Sequence, residues 1–179
     1  MKPLYPLILF LLTCSTNPFK DICGVVDGDG STCIDTSIID SYQLKDLNIT
    51  SATFGETLSH NNFLGKVILY YFPSSDTWGL CKSRFDSLYE LYLDYGGLDS
   101  EIVIIGVGKN DGNLIYTVAE DTIFPYIKET DGYILRYGLG VVDRDVYFYD
   151  SNGIFANKVN LTASFERNMI EGILDDLLN

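Results

Sequence analysis

The sequence has few of the residues on which several classes of function depend. It holds one histidine, His60, so a single chain cannot build a metal site from several histidines, and histidine-dependent hydrolases are disfavoured. It carries 12 Lys and Arg against 25 Asp and Glu, a formal net charge of −13. Because nucleic-acid phosphates and anionic membrane surfaces would be repelled, we expect neither as a partner.

The chain also lacks an apolar run of the roughly 20 residues that a membrane helix needs, so we expect no membrane span. Of its 179 residues, 46% are hydrophobic and 13% aromatic, which is too many for a disordered chain. The length predicts one globular domain with a short appendage.

The first 15 residues have the layout of a secretory signal peptide. Lys2 precedes the apolar run 7–12, and small residues follow at 13–16. The alternatives are a buried strand or a bacterial lipobox at 11–14, which Thr13 fits poorly. We therefore expect a secreted protein, or one that resides in the lumen of the secretory pathway.

Cysteine spacing divides the mature chain into two parts. Cys14 leaves with the signal peptide, so Cys23, Cys33 and Cys81 remain. Cys23 and Cys33 flank a spacer rich in glycine and aspartate, which are turn formers, so we predict a disulfide between them within a segment spanning residues 16–40. The odd thiol left over is Cys81, which predicts a free thiol or a partner on another chain.

The segment 21–33 resembles a disulfide-pinned element of extracellular cysteine-rich modules. Its run Asp27-Gly28-Asp29-Gly30 is also similar to calcium loops, but no acidic residue stands at the spacing that completes an EF-hand. An acidic turn and a calcium site both stay open as interpretations.

Two Asn-X-Thr tripeptides support a eukaryotic secretory route. They begin at Asn48 and Asn160, and neither has proline in the middle. We predict that both asparagines lie on the surface and accept glycans.

Hydrophobic periodicity predicts a single α/β domain over residues 41–179. A short strand lies within 42–47, and apolar, β-prone runs at 67–72, 102–107 and 146–149 predict further strands, the first of them central and buried. The order β-α-β, a variable middle and then β-β-α describes a thioredoxin-like mixed sheet with helices on both faces. Two amphipathic helices complete the pattern, one with Cys81, Phe85, Leu88, Tyr92 and Tyr95 on a single face, the other with Phe165, Met169, Ile173 and Leu177, capped by Ser164.

The stretch 65–81 resembles the redoxin pattern, in which an apolar strand leads through a Trp-containing turn into a helix. Residues 40–178 more closely resemble the N-terminal domain of selenoprotein P. The matching stretches are Gly65-Lys66-Val67, Leu80-Cys81, Ile123-Phe124-Pro125-Tyr126 and Asp145-Val146-Tyr147-Phe148-Tyr149-Asp150, the last followed by Gly153.

The resemblance implies a redox site of two cysteines, or a selenocysteine and a cysteine, separated by two residues. Here that site reads Trp78-Gly79-Leu80-Cys81, so Trp78 occupies the place of the nucleophile. Redoxins place a cis-proline opposite the site, where the register puts Arg144. Dithiol exchange within this one motif is therefore excluded.

Whether Cys81 acts alone stays open. The first turn of a helix, with Lys82 and Arg84 close by, favours a thiolate. Against this, Cys81 shares a face with Phe85 and Leu88, and burial among apolar side chains makes a thiol inert.

Polar residues elsewhere suggest ordinary surface roles. His60 lies among Ser59, Asn61 and Asn62, so we expect it to face solvent. The run Asp143-Arg144-Asp145 predicts an exposed cluster of ion pairs. Apart from the run 27–30, no metal motif emerges, and neither does a Ser/His/Asp constellation or a cofactor motif.

The sequence supports two hypotheses. The first is a secreted, thioredoxin-like module that has lost its redox pair and binds a protein or peptide. The alternative is a thiol-dependent antioxidant or oxidoreductase that uses the single Cys81 as its catalytic residue.

Overall fold

The computed structural model describes residues 39, 41–74, 79–109, 119, 121–129 and 134–179 of the chain. All of them belong to the unit Ile34–Asn179. The predicted signal peptide, the Cys23–Cys33 pair, the acidic loop 27–30 and Trp78 lie outside the described residues.

A five-stranded mixed sheet forms the centre of this unit, with the strand order β5-β4-β3-β6-β7. A two-stranded antiparallel hairpin, β1-β2, lies at the start of the described chain. The strands are β1 (Leu44–Lys45), β2 (Thr57–Leu58), β3 (Val67–Phe72), β4 (Ile102–Gly108), β5 (Tyr126–Lys128), β6 (Asp145–Tyr149) and β7 (Phe155–Asn160), and the helices are α1 (Gly79–Asp94), α2 (Ile134–Gly138) and α3 (Arg167–Leu178).

The central strand is β3, as its unbroken apolar run predicts. All six of its residues are buried. It pairs in parallel with β4 on one side, where Leu69 faces Ile104, and antiparallel with β6 on the other, where Leu69 faces Phe148. Two parallel strands joined through α1 and an antiparallel hairpin that leads into α3 confirm the thioredoxin-like order.

Helices cover both faces of the sheet, which confirms the predicted fold class. On one face Leu69 and Ile104 pack against Phe85 of α1 and Ile170 of α3. On the other face Tyr70, Ile105 and Tyr147 pack with the β1-β2 hairpin and with Leu135 of α2. Each fully buried aromatic or aliphatic side chain contributes about 1.5–3 kcal/mol, so both clusters are needed for stability.

The predicted face of α3 is correct except at Met169. Phe165, Ile173 and Leu177 are partly buried and pack against the core. Met169 is 55% exposed, and the fully buried residues of this helix are Ile170 and Leu174. The predicted cap is wrong, because Glu166 is the N-cap residue and makes no capping hydrogen bond through its side chain. Ser164 instead donates to a carboxylate oxygen of Glu166.

Both Asn-X-Thr tripeptides form turns in which the asparagine side chain accepts a hydrogen bond from the threonine backbone. Asn48 is only 2% exposed, so its predicted surface position is wrong. Its Nδ2 donates to the carbonyls of Thr122 and Phe124 at 2.9 and 2.8 Å, which ties the hairpin to the segment before β5. Asn160 is exposed, as predicted, and its Nδ2 donates to Asp143 O and Asp145 Oδ1.

No helix within the described residues is long and apolar enough to cross a membrane.

Candidate functional site

The carboxyl ends of β3 and β4 meet the start of α1 and the loop before β6. Parallel strands bring their carboxyl ends to one edge of a sheet, where ligand sites commonly form. Ser74 follows β3, Cys81 lies in the first turn of α1, and Arg144 directly precedes β6. The fold thus brings Cys81 and Arg144 into contact with the same side chain, Ser74.

The Cys81 thiol is completely buried but touches polar groups. Its Sγ lies 3.2 Å from Ser74 Oγ. The Tyr71 hydroxyl donates to the carbonyl oxygen of Cys81 at 3.2 Å, which holds the first turn of α1 against β3. Burial first, and the neighbouring Cys81 second, raise the pKa of Tyr71 above its usual range, so the phenol stays protonated.

Arg144 is the one non-glycine residue with positive φ in the described part of the chain, at 70°. Such a backbone costs about 1–3 kcal/mol and persists where the surroundings fix it. Here the Arg144 N–H donates to Phe72 O at 2.7 Å, and its carbonyl accepts from Leu161 N at 2.9 Å. This strained position directs the guanidinium to Ser74, whose Oγ accepts from Nη1 at 2.7 Å.

These contacts leave the hydrogen of Ser74 available to the sulfur. An arginine only donates, so Ser74 Oγ accepts from Arg144, and a hydroxyl that accepts one hydrogen bond can donate its own hydrogen to a second partner, here Cys81 Sγ. A polarised hydroxyl that donates to sulfur and a helix N-terminus both favour a thiolate. Complete burial of Cys81 opposes the thiolate. The site therefore contains both a thiolate-stabilising and a thiolate-opposing influence, the two that the sequence left open.

A buried ion pair lies beside this site. Arg136 of α2 is 7% exposed and its Nε lies 3.1 Å from Glu129 Oε2, while Glu129 is 3% exposed. Arg136 Nη2 also donates to Pro73 O at 2.9 Å and to Val107 O at 2.6 Å, and so links the ends of β3 and β4. Glu129 Oε1 accepts from the backbone N–H groups of Leu135 and Arg136, and burial, which outweighs these contacts, raises the pKa of Glu129.

Sequence reasoning missed this pair. The sequence did contain one signal, an arginine inside the otherwise apolar run Ile134-Leu135-Arg136-Tyr137. An arginine that is buried with such a run needs a partner of opposite charge. The predicted exposed cluster at 143–145 is only partly correct. Asp143 is partly exposed and pairs with Lys109 at 2.8 Å, but Asp145 is 1% exposed and accepts from Val142 N.

His60 is buried at the opposite, amino end of β3, so its predicted exposure is wrong. Its Nε2 lies 3.1 Å from the Gly153 carbonyl, which only accepts, so Nε2 carries the hydrogen and Nδ1 accepts from the Tyr70 hydroxyl at 2.9 Å. Tyr70 in turn accepts from Tyr42 at 2.9 Å. Gly153 has φ of 80°, and a Cβ there would lie 2.6 Å from Nε2, so glycine is required beside the imidazole.

Neither a protein-family model nor a curated protein sequence matches this chain. Solved structures do. A Mycobacterium tuberculosis DsbF has a TM-score of 0.60 at 16% identity, with 78% of this chain and 97% of that chain covered. A secreted M. tuberculosis disulfide oxidoreductase homologous to E. coli DsbE has a TM-score of 0.61 at 15% identity, with 79% and 98% covered. A putative thioredoxin from Neisseria meningitidis has a TM-score of 0.62 at 16% identity, with 79% and 89% covered.

At these identities the likeness shows the fold. The chain has a thioredoxin-like fold, and the structures that share it include proteins described as disulfide oxidoreductases. What Cys81 does in this chain has to be argued from its own contacts.

Proposed function

We propose that this protein carries out thiol–disulfide exchange through Cys81 alone, with the second thiol supplied by another molecule. The carrying observation is the Arg144–Ser74–Cys81 chain of contacts at the start of α1. The structural neighbours described as disulfide oxidoreductases support a redox role over a purely binding one. A relation to the selenoprotein P N-terminal domain is part of this proposal and rests on the sequence stretches quoted above.

The chemistry needs no cofactor. The Cys81 thiolate attacks one sulfur of a substrate disulfide, so a bond forms between Sγ and that sulfur while the substrate S–S bond breaks. The departing sulfur leaves as a thiolate and takes a proton from solvent. An external thiolate then attacks the mixed disulfide, forms a new disulfide with the substrate sulfur and releases Cys81.

Ser74 and Arg144 act on this cycle by position. The Ser74 hydroxyl donates to the sulfur when it carries negative charge, both before attack and on release. Arg144 holds Ser74 in place and contributes positive charge to an otherwise strongly acidic chain. Arg144 is therefore a positioning residue, and Cys81 is the catalytic one.

One observation favours the second candidate, a binding module for a protein or peptide without thiol chemistry. Cys81 has no exposed surface, and a buried thiol in apolar surroundings does not react.

Alkylation of the native protein at graded pH separates the two candidates, with labelling located at Cys81 by peptide mapping. The exchange proposal expects native labelling with an apparent pKa below about 7.5, against about 8.5 for a free cysteine. Labelling only in denaturant would contradict the exchange proposal and favour the binding module instead.

Ser74→Ala tests the role of the hydroxyl. We expect it to raise the apparent pKa of Cys81 labelling, because the thiolate loses its donor, while Ser83→Ala on the exposed face of α1 leaves labelling unchanged. Equal labelling profiles for both variants would contradict the assigned contact. Without an added thiol, the unmodified protein should fail to reduce insulin disulfides, since resolution needs an external thiol.

Secretion is likewise proposed, from the amino-terminal pattern; one structural neighbour is described as secreted. In a eukaryotic host we expect a glycan at Asn160 and none at buried Asn48. Glycosidase treatment followed by peptide mapping measures this, and a glycan located at Asn48 in the folded protein would contradict it.

A further inference from the structure

A cavity of about 250 Å³ opens beside the Arg136–Glu129 pair at the carboxyl end of β4. It is lined by Lys109, Arg136, Tyr137, Val141 and Asp143. Arg136 is 7% exposed, whereas Tyr137 is 77% exposed, so a buried guanidinium lies in the cavity and a phenol ring lies at its surface.

The guanidinium has donor capacity to spare. Its Nη2 donates to two backbone carbonyls, and its Nε faces Glu129. Among the described residues, Nη1 has its nearest acidic partner in Asp143 Oδ1, at 3.7 Å. That separation is too long for a hydrogen bond, so within the described part of the chain Nη1, a cationic donor in the wall of the cavity, has no close acidic acceptor.

The position of Asp143 indicates that this wall of the cavity can bind a carboxylate. Its Oδ1 lies 2.8 Å from Lys109 Nζ, between that ammonium and Arg136. The Asp143 side chain is 44% exposed, so it can turn into solvent without opening the core. A carboxylate from outside could then accept from Lys109 Nζ and Arg136 Nη1 together.

We propose that this cavity binds the carboxylate of a small organic acid, for which Asp143 is an internal competitor. The two oxygens of a carboxylate match the planar fork of an arginine. Exchange of one carboxylate for another leaves the local charge unchanged, whereas a phosphate dianion would add negative charge beside the buried Glu129. Tyr137 and Val141 offer apolar contact, which favours an acid with a hydrophobic body.

The test is a titration followed by NMR with benzoate as the probe, benzamide as its neutral isostere and inorganic phosphate as a second anion. It involves no thiol chemistry, so its result is separate from that of the Cys81 proposal. We expect saturable binding of benzoate and none of benzamide. Asp143→Asn should tighten binding about tenfold and Lys109→Met should weaken it about tenfold, as one charge-assisted hydrogen bond implies.

Lys66→Met is the matched control, because it removes the same charge at the amino end of β4, where Lys66 Nζ donates to Ser100 O. Its affinity for benzoate should stay within about twofold of the unmodified protein. Arg136 is left intact, since a substitution there would break the buried pair.

Benzoate binding seen only in the Asp143→Asn variant would still support the site, with Asp143 occupying it in the unmodified protein. No saturable shift in either protein would overturn the proposal. So would equal binding of benzamide, binding of phosphate without benzoate, or equal losses from Lys109→Met and Lys66→Met.

Discussion

The two ends of the central strand β3 bury polar groups in opposite ways. The carboxyl end gathers charges: Arg136 and Glu129 form a buried pair, and Arg144 has a left-handed backbone. The amino end holds a neutral chain of hydrogen bonds in which Tyr70 donates to His60. Adjacent tyrosines take part, because Tyr70 and Tyr71 point to opposite faces of the sheet.

The difference shows at which end of β3 the fold contains groups that lower its stability. A neutral network requires only aligned partners, whereas each buried ion carries a desolvation penalty of several kcal/mol and a strained residue adds about 1–3 kcal/mol. These penalties concentrate at the carboxyl end of β3, where Arg136 and Arg144 lie. This concentration favours the carboxyl end as the functional end of the sheet.

Arg136→Met should have the largest effect. It leaves the Glu129 carboxylate buried without a cation and removes the donor from the Pro73 and Val107 carbonyls, so we expect a loss of about 3–5 kcal/mol in the free energy of unfolding. Denaturant titration measures it. Arg167→Met, at a surface pair on α3, is the control and should change little. A small change in the free energy of unfolding for Arg136→Met would show that the buried groups at the two ends of β3 do not differ in their free-energy cost.

Tyr70→Phe and Tyr71→Phe compare the two ends through neighbouring residues. Tyr70→Phe removes a donor from His60 and an acceptor from Tyr42, both buried, and should cost about 1–3 kcal/mol. Tyr71→Phe removes the donor to the Cys81 carbonyl, and with it the contact of the same hydroxyl with the Cys81 side chain, and should cost about 0.5–1.5 kcal/mol. The same denaturant titration ranks them, and the reverse order would contradict the hydrogen-bond assignment at His60.

The pH dependence of stability should give the smallest effect. Because burial raises the pKa of Glu129, the folded protein binds a proton there more readily than the unfolded chain does. This contribution is fully present below the ordinary glutamate pKa and is lost as pH rises through the raised value. The stability of the unmodified protein minus that of Glu129→Gln should therefore fall as pH rises across this window. A difference that stays flat or rises would mean that Arg136, rather than burial, controls the carboxyl.

Long apolar runs made most of the sheet predictable. The runs at 67–72 and 102–107 can only be satisfied by burial on both sides, and β3 and β4 lie there. In contrast, β5 has three residues and α2 five, which is too short for either period to appear in the sequence. They form because the rest of the fold supplies their partners.

The polarity of neighbouring residues in the sequence did not predict the burial of single side chains. His60 stands among polar neighbours, yet a 3₁₀ turn places its ring between Tyr70 and Tyr149. Glu129 and Arg136 are seven positions apart, and they meet because the Glu129 carboxylate accepts from the first backbone N–H groups of α2. Part of the Cys81 environment was predictable. The sequence pattern predicts that Cys81 lies in the first turn of a helix, and the resemblance places Arg144 opposite it. The contact between Arg144 and Ser74 was not predictable, because it depends on a backbone conformation that arginine rarely adopts.

Folding and glycosylation compete for the side chain of Asn48 during synthesis. Both hydrogens of its Nδ2 are used by the carbonyls of Thr122 and Phe124, more than 70 residues further along the chain. During synthesis in a glycosylating compartment, the tripeptide emerges well before those partners exist. A sugar added in that interval would occupy the nitrogen that joins the first hairpin to β5. Expression in such a host therefore favours chains whose Asn48 escapes the transferase, and the yield of folded protein should depend on how often it does.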